Sequence, residues 1–467
     1  MTHETSTTTE NVHKLTTGQR LIVTITFFSM FFGASNLIFP PLLGAEAGRA
    51  TLPAMVGFIC SAVGLPILGV LAVTRAGGFK QLASRVSPKF ALVLGTAIIL
   101  TIGPLFAIPR TAATSFEMAV APLTPTLPGW ATQLGYSVVF FGLSCILSQH
   151  PERLADTIGR FMAPLLLAMI AVLVVVCLFV PHGPFTTPLP TYAHGQVIRG
   201  FIEGYQTMDL LAALYFGIVI AANVRGFGVT QERQNRRELA RSGAGTGVMM
   251  AVIYAALAYV GGVSGSMHAV NPAQDTGATV LTNLTSSVFG RFGTAFVGLI
   301  FVLACFNVCT GLIATCASYF KEQFPKVFGH PMSYRTWSML FVVFSLVIAN
   351  AGLSTIIRVS VPVLSALYPL AIVLVVFGLL HTLIGRYAPR VYFWTVLLVG
   401  IFTCAQCVVN LLAVLGVSWT GAQALFALLP LASEQLTWLL PAALGLFIGV
   451  IDSLIRGDAR PAAAHRE

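Results

Sequence analysis

The chain has 467 residues and a formal net charge of +10, with 56% hydrophobic and only 9% charged residues. Soluble domains carry about 25% charge, so a soluble monomer, a disordered chain and a disulfide-stapled secreted module are excluded. Unbroken apolar runs of about 20 residues fit helices crossing a roughly 30 Å hydrocarbon core, not the alternating strands of an outer-membrane barrel.

Twelve apolar segments follow in chain order, at 21–43, 54–74, 91–118, 135–149, 161–181, 200–222, 243–263, 293–319, 336–350, 355–381, 392–415 and 437–455. The expected fold is therefore an all-α polytopic membrane protein of about twelve transmembrane helices. The connecting stretches alternate sharply in charge. All Lys and Arg fall on one side except Arg49, Arg110, Arg199, Arg291 and Arg358. That asymmetry predicts cytoplasmic N- and C-termini and absorbs the basic surplus, so no nucleic-acid partner is expected. The bilayer itself is the expected environment.

Segment one reads Phe31-Phe32-Gly33-Ala34-Ser35-Asn36-Leu37-Ile38-Phe39-Pro40-Pro41. Gly, Ser and Asn are poor helix formers, and two prolines remove two N–H donors. Irregular backbone at membrane depth must be buried in protein or line a cavity, so a discontinuous helix is expected here. Its length, and its prolines, distinguish it from a cleaved signal peptide.

Segment three carries Gly103-Pro104, then Pro109-Arg110, then Glu117 near its end. Arg110 is expected to pair with Asp209 or Glu117, or to contact a carboxylate ligand. Segment six places Asp209 near mid-span within Gly204 to Gly217. An intramembrane carboxylate costs about 2.5–3.5 kcal/mol even on the lenient insertion scale, and so marks either function or a capping role at a break. Segment eight bears Cys305, Asn307, Cys309, Thr310, Thr315 and Cys316, a set suited to close helix packing or to oxygen ligation of a cation. Cys404 and Cys407 form an isolated CxxC within an apolar run, read as packing residues. The histidines fall in loops, tails and segment ends, which argues against a membrane-embedded enzyme.

The breaks in segments one and six open two blocks, 21–181 and 200–381, each of five spans. Five is odd, so the second block starts from the opposite face. This is the geometry of a five-plus-five inverted repeat, with its binding site between the broken helices. Residues 1–20 and 456–467 are expected to be cytoplasmic tails, and 392–455 to hold two further helices, eleven and twelve.

On these motifs the sequence resembles the bacterial branched-chain amino acid:cation symporters of the amino acid–polyamine–cation superfamily. The resemblance rests on Phe28 through Pro41, Gly103-Pro104 with Ile108 through Thr111, Gly204 through Gly217, and Leu303-Ala304-Cys305 with Gly311-Leu312. It covers essentially the whole membrane region. It implies sodium-driven import of leucine, isoleucine and valine across the cell inner membrane by alternating access, with sodium as coupling ion and no other cofactor.

By position, the resemblance implies that Gly33 and the N–H groups of Ala34, Ser35 and Asn36 hold the substrate carboxylate. Carbonyls near Phe31 and around Leu210 to Ala213 would receive the ammonium, and Asp209 and Leu211 are also expected among the substrate-binding residues. Phe216 and the neighbourhood of Pro104 would line the side-chain pocket. Sodium would lie among Ser29, Phe32, Ala304 and Asn307. Arg110 with Glu117 would form a gate or ion pair. Two positions depart from the family pattern. Ser35 stands where Gly is usual, and Asn307-Val308 stands where hydroxyl residues are usual; Val308 cannot coordinate a cation. A proton-coupled carrier using Asp209, and a transporter-like sensor, are the alternatives.

Overall fold

The computed structural model describes residues 15–124, 126–149, 163–229, 231–272 and 275–456. The expectations for residues 1–14, for the 150–162 connection with Arg153 and Arg160, and for 457–467 lie outside these described residues.

All twelve segments are helical. Segment one is split into Thr17–Phe31 and Ala34–Ala47. Thr16 caps it in a reciprocal box with Gln19. Segment two runs from Thr51 to Ala76 through a π turn at Cys60–Gly64. Segment three runs from Pro88 to Ala119 and is broken at Gly103. Gly129–Ser148 and Ala163–Leu178 are segments four and five. Segment six comprises Gln196–Glu203, a 3-10 turn at Gly204–Thr207, and Asp209–Gly226. Glu232–Met267 is segment seven, and segment eight ends the long helix Gly277–Gln323. Tyr334–Ala349, Leu353–Leu379, Val391–Val414 and Leu439–Ile455 complete the set.

Among the described residues, seven helices are long and apolar enough to span a bilayer on their own. The difference from twelve has physical causes. The second half of segment one runs into segment two with only a short turn between, at Gly48 (φ 49°). Segment six is bent by 45°. Segments five, nine and twelve are shorter apolar helices. One expectation is corrected. The stretch 264–292 is not simply a loop: helix Gly277–Gln323 begins in it and is kinked at Gly290 (φ 59°, ψ −147°) before segment eight.

Packing follows the inverted repeat. Both halves of segment one lie on segment seven, and both halves of segment six lie on segment two. Segments five and seven touch, as do ten and two; four touches eight, as nine touches three. Each contact reappears when five is added to or subtracted from the segment numbers. The same swap governs the closest approaches. A Cβ on Gly44 or Gly261 would sit 1.8 or 1.9 Å from a carbonyl oxygen of the other helix, Ala258 or Pro41. Gly57 and Gly200 do the same between segments two and six, at 1.7 and 1.8 Å from Val197 and Ala54. In lipid, helices associate through such backbone proximity, since burying apolar side chains gains little against acyl chains. The large apolar residues left exposed, such as Leu52, Val93 and Ile401, supply the lipid-facing surface.

Candidate functional site

The two chain breaks meet in the middle of the bundle. The second half of segment one starts at Ala34, and the second half of segment six starts at Asp209. Their N-termini therefore confront each other, and both present first-turn N–H groups that lack an intrahelical acceptor. Two partial positive charges are concentrated here. Gly33 takes an extended conformation (φ −133°, ψ −163°), and Met208 a left-handed one (φ 62°, ψ 9°).

Asn36 organises the first break. Its Oδ1 accepts from the Gly33 N–H at 3.2 Å, and its Nδ2 donates to Asp209 Oδ2 at 2.7 Å. The same amide donates to the Tyr254 hydroxyl. Tyr254 lies 3.4 Å from Asp209 Oδ2. Asp209 is 3% exposed and has no basic partner among the described residues. Its position in the first turn of a helix supplies favourable dipole energy.

A cavity of about 40 Å³ lies between the breaks. Of the expected substrate residues, Phe31, Gly33, Ala34, Ser35, Asn36, Asp209 and Phe216 line it. Leu210, Leu211 and Ala213 do not. They are completely buried within the helix starting at Asp209, where their carbonyls belong to the regular ladder. Pro104 is likewise buried outside the cavity, and Ile102 and Ala107 take its place from segment three. Thr111, Thr207, Met208, Val308 and Leu312 complete most of the wall. That volume is too small for a branched-chain amino acid.

Arg110 is also buried, at 0% exposure. It forms no ion pair with Asp209 or Glu117, which corrects that expectation. Instead its Nη1 donates to Ser35 Oγ at 3.1 Å and to the Gln206 carbonyl at 2.8 Å, while Nη2 donates to Ser360 Oγ at 2.8 Å. The guanidinium lies 5.6 Å from the ring centroid of Phe39. One side chain thus ties segment three to segments one, six and ten. Hydrogen bonds from a charged donor are each worth about 1.5–3 kcal/mol, and these three counter much of the insertion cost of the charge, while the buried Nε has no partner among the described residues.

The residues expected for sodium lie on segments one and eight. Ser29 and Phe32 are at the carbonyl-rich end of the first half-helix of segment one. Ser29 Oγ donates to the Thr26 carbonyl at 2.9 Å. Ala304 and Asn307 are buried on segment eight. Val308 faces the break: a Cβ on Gly33 would come within 2.9 Å of Val308 Cγ2. Thr310 donates to the Asn307 carbonyl at 2.8 Å, so its hydroxyl is turned back along its own helix.

The sequence model described as branched-chain amino acid transport protein matches residues 16–455, across both breaks and every segment. The chain belongs to this family. It is similar to the branched-chain amino acid permease BrnQ of Bacillus subtilis, at 36% identity over 95% of the chain and 98% of that relative. It is 37% identical to the branched-chain amino acid transport system 2 carrier protein of Pseudomonas aeruginosa, over 94% and 96%. The Escherichia coli BrnQ permease is 35% identical over 97% of this chain and its whole length. Family and relatives are transporters, not enzymes. In fold, the chain is similar to the nucleobase-cation-symport-1 family transporter Mhp1 (TM-score 0.58, 13% identity, 96% of this chain and 94% of that one). It is also similar to a Na+-coupled sialic acid symporter (TM-score 0.51, 11% identity, 93% and 90%).

Proposed function

We propose that this chain imports leucine, isoleucine and valine across the bacterial inner membrane by sodium symport, with both termini cytoplasmic. The observation that carries this reading is the meeting of two helix N-termini and Asp209 beside an apolar wall. A zwitterion needs both signs of partner. The N–H groups of Ala34 and Ser35 suit its carboxylate, and Asp209 suits its ammonium. Phe31, Ile102, Phe216, Val308 and Leu312 suit an aliphatic side chain. The cavity expands when the surrounding segments rock apart, which is the alternating-access step.

The coupling sodium would sit among the carbonyl oxygens of Ser29, Phe32 and Ala304 and the side-chain oxygen of Asn307. A charge crossing 100 mV releases about 2.3 kcal/mol, equivalent to roughly fiftyfold accumulation. A second reading, proton coupling through Asp209, is favoured by two specific observations: this carboxylate has no basic partner among the described residues, and Val308 offers no oxygen to a cation. Uptake of labelled leucine into proteoliposomes separates the two. Symport with sodium predicts uptake that requires an inward sodium gradient at equal pH on both sides. Uptake that ignores sodium and follows an inward proton gradient would overturn it.

A further inference from the structure

Away from the breaks, a cavity of about 640 Å³ lies on the basic face, between the connection of segments two and three and that of segments ten and eleven. It is lined by Arg85, Val86, Gly385, Arg386, Pro389, Arg390 and Phe393, and no carboxylate among the described residues lines it. A positive-inside bias accounts for arginines on this face, but not for the guanidiniums of Arg85 and Arg386, from two separate connections, converging on one space. Like charges so placed repel unless an anion joins them.

Arg85 is fixed in place. Its Nη1 donates to the Tyr392 hydroxyl at 3.5 Å, and that hydroxyl donates onward to the Phe377 carbonyl at 2.7 Å. Arg386 rests over the Tyr387 ring at 5.5 Å. Neither arginine has an acidic partner within ion-pair distance among the described residues. Asp452, on nearby segment twelve, is engaged by Trp394 Nε1 at 2.9 Å and by Arg456 at 2.8 Å, and its charge also interacts with that of Arg390. His381, beyond the end of segment ten, responds to the same field: burial first, and then the Arg85 charge, lower its pKa.

The apolar side of the cavity sets its ligand apart from a free anion. Phe393 is 45% exposed, and Leu397 and Ile401 follow at 37% and 62%, one and two turns further along segment eleven. This makes an exposed apolar track leading from the arginines into the hydrocarbon layer.

We propose that the cavity holds the phosphate headgroup of an anionic glycerophospholipid, with an acyl chain laid along Phe393, Leu397 and Ile401. Basic pockets between transmembrane helices bind such headgroups through charge-assisted hydrogen bonds, and guanidinium forks match phosphate oxygens. The lipid would join the connections on either side of the pocket, and so brace segments ten and eleven against segments two and three.

The test uses the full chain, purified in a neutral detergent. Diphosphatidylglycerol, phosphatidylcholine and inorganic phosphate are titrated separately, with bound mass and thermal unfolding midpoint as readouts. Diphosphatidylglycerol is expected to bind and raise the midpoint; the other two are not. In Arg85→Gln/Arg386→Gln, the apparent lipid affinity should fall on the order of thirtyfold, from about tenfold or less per arginine. Arg386→Gln alone alters an exposed residue; it should fall severalfold in lipid affinity while keeping leucine uptake. Unchanged diphosphatidylglycerol binding in both variants would overturn the proposal. Inorganic phosphate stabilising the protein as much as the lipid would overturn it too, assigning the cavity to a free anion.

Discussion

Asn36 donates to Asp209 at 2.7 Å across 173 positions of sequence, and this bond joins the two broken helices at their unwound points. Each partner serves its own break as well. Asn36 closes back on Gly33, and Asp209 opens the second half of segment six. The proposed substrate site is therefore built on a contact that couples the halves of the repeat.

Asp209→Asn should abolish concentrative leucine uptake while leaving protein level and membrane insertion near wild type. The amide keeps the shape and one acceptor, but loses the charge proposed to face the ammonium. A charged hydrogen bond of about 1.5–3 kcal/mol corresponds to roughly 10- to 150-fold in affinity. Uptake in cells, normalised to protein in the membrane fraction, is the measurement. Full activity would reduce Asp209 to a helix cap.

Arg110→Lys should lower transport by about tenfold or more without unfolding the protein. An ammonium keeps the charge but cannot reproduce the fork that reaches Ser35, the Gln206 carbonyl and Ser360 together. These bonds lie on the side of the breaks away from the basic face, so their loss loosens closure there. Labelling of a cysteine introduced at Ser35 by a thiol reagent added from outside, compared with and without R110K, reads the opening directly. Equal labelling rates would refute a gating role.

Gly261→Ala should destabilise the bundle by about 1–3 kcal/mol, since its Cβ would collide with a backbone carbonyl that cannot swing away. Gly142→Ala meets nothing within 4 Å and should leave the unfolding midpoint unchanged or slightly raised. Midpoints measured in the same detergent decide this. Similar losses in both variants would contradict the close-approach account.

Val308→Thr places a hydroxyl beside Gly33, on segment eight where the cation is proposed to bind. With sodium as coupling ion, the concentration giving half-maximal uptake should fall on the order of tenfold, the worth of one oxygen contact to a charge. The sodium dependence of leucine uptake checks it. No change, alongside undiminished proton-driven uptake, would favour the proton reading.

Much of this architecture was legible in the residues. The Gly33-to-Pro41 run and the charge of Asp209 are costly in lipid, and cost is what a sequence displays most clearly. They located both breaks and, through the odd number of spans between them, the inverted repeat. The partners of those groups were not legible. Tyr254 is a single tyrosine in an apolar run of segment seven, and Ser360 a small residue in segment ten; neither is expensive enough to stand out. Arg110 was correctly marked as costly, and an acid partner or a carboxylate ligand was expected for it; the two serine hydroxyls and the Gln206 carbonyl that it donates to come from three other helices and could not be read from the sequence. Met208 takes the left-handed conformation of the second break although its residue type does not favour it. The expected ammonium carbonyls moved for a local reason: the helix restarts at Asp209, so the ladder absorbs Leu210, Leu211 and Ala213.

The central claim is that the meeting of these two breaks is a sodium-dependent site for branched-chain amino acids. Calorimetric titration of leucine into the purified full chain tests it most directly, in sodium and then in potassium at equal ionic strength and pH. The account predicts saturable binding in sodium, at least tenfold weaker in potassium, and lost in both ions in Asp209→Asn. Leucine binding of equal strength in both ions, or undiminished in Asp209→Asn, would contradict it.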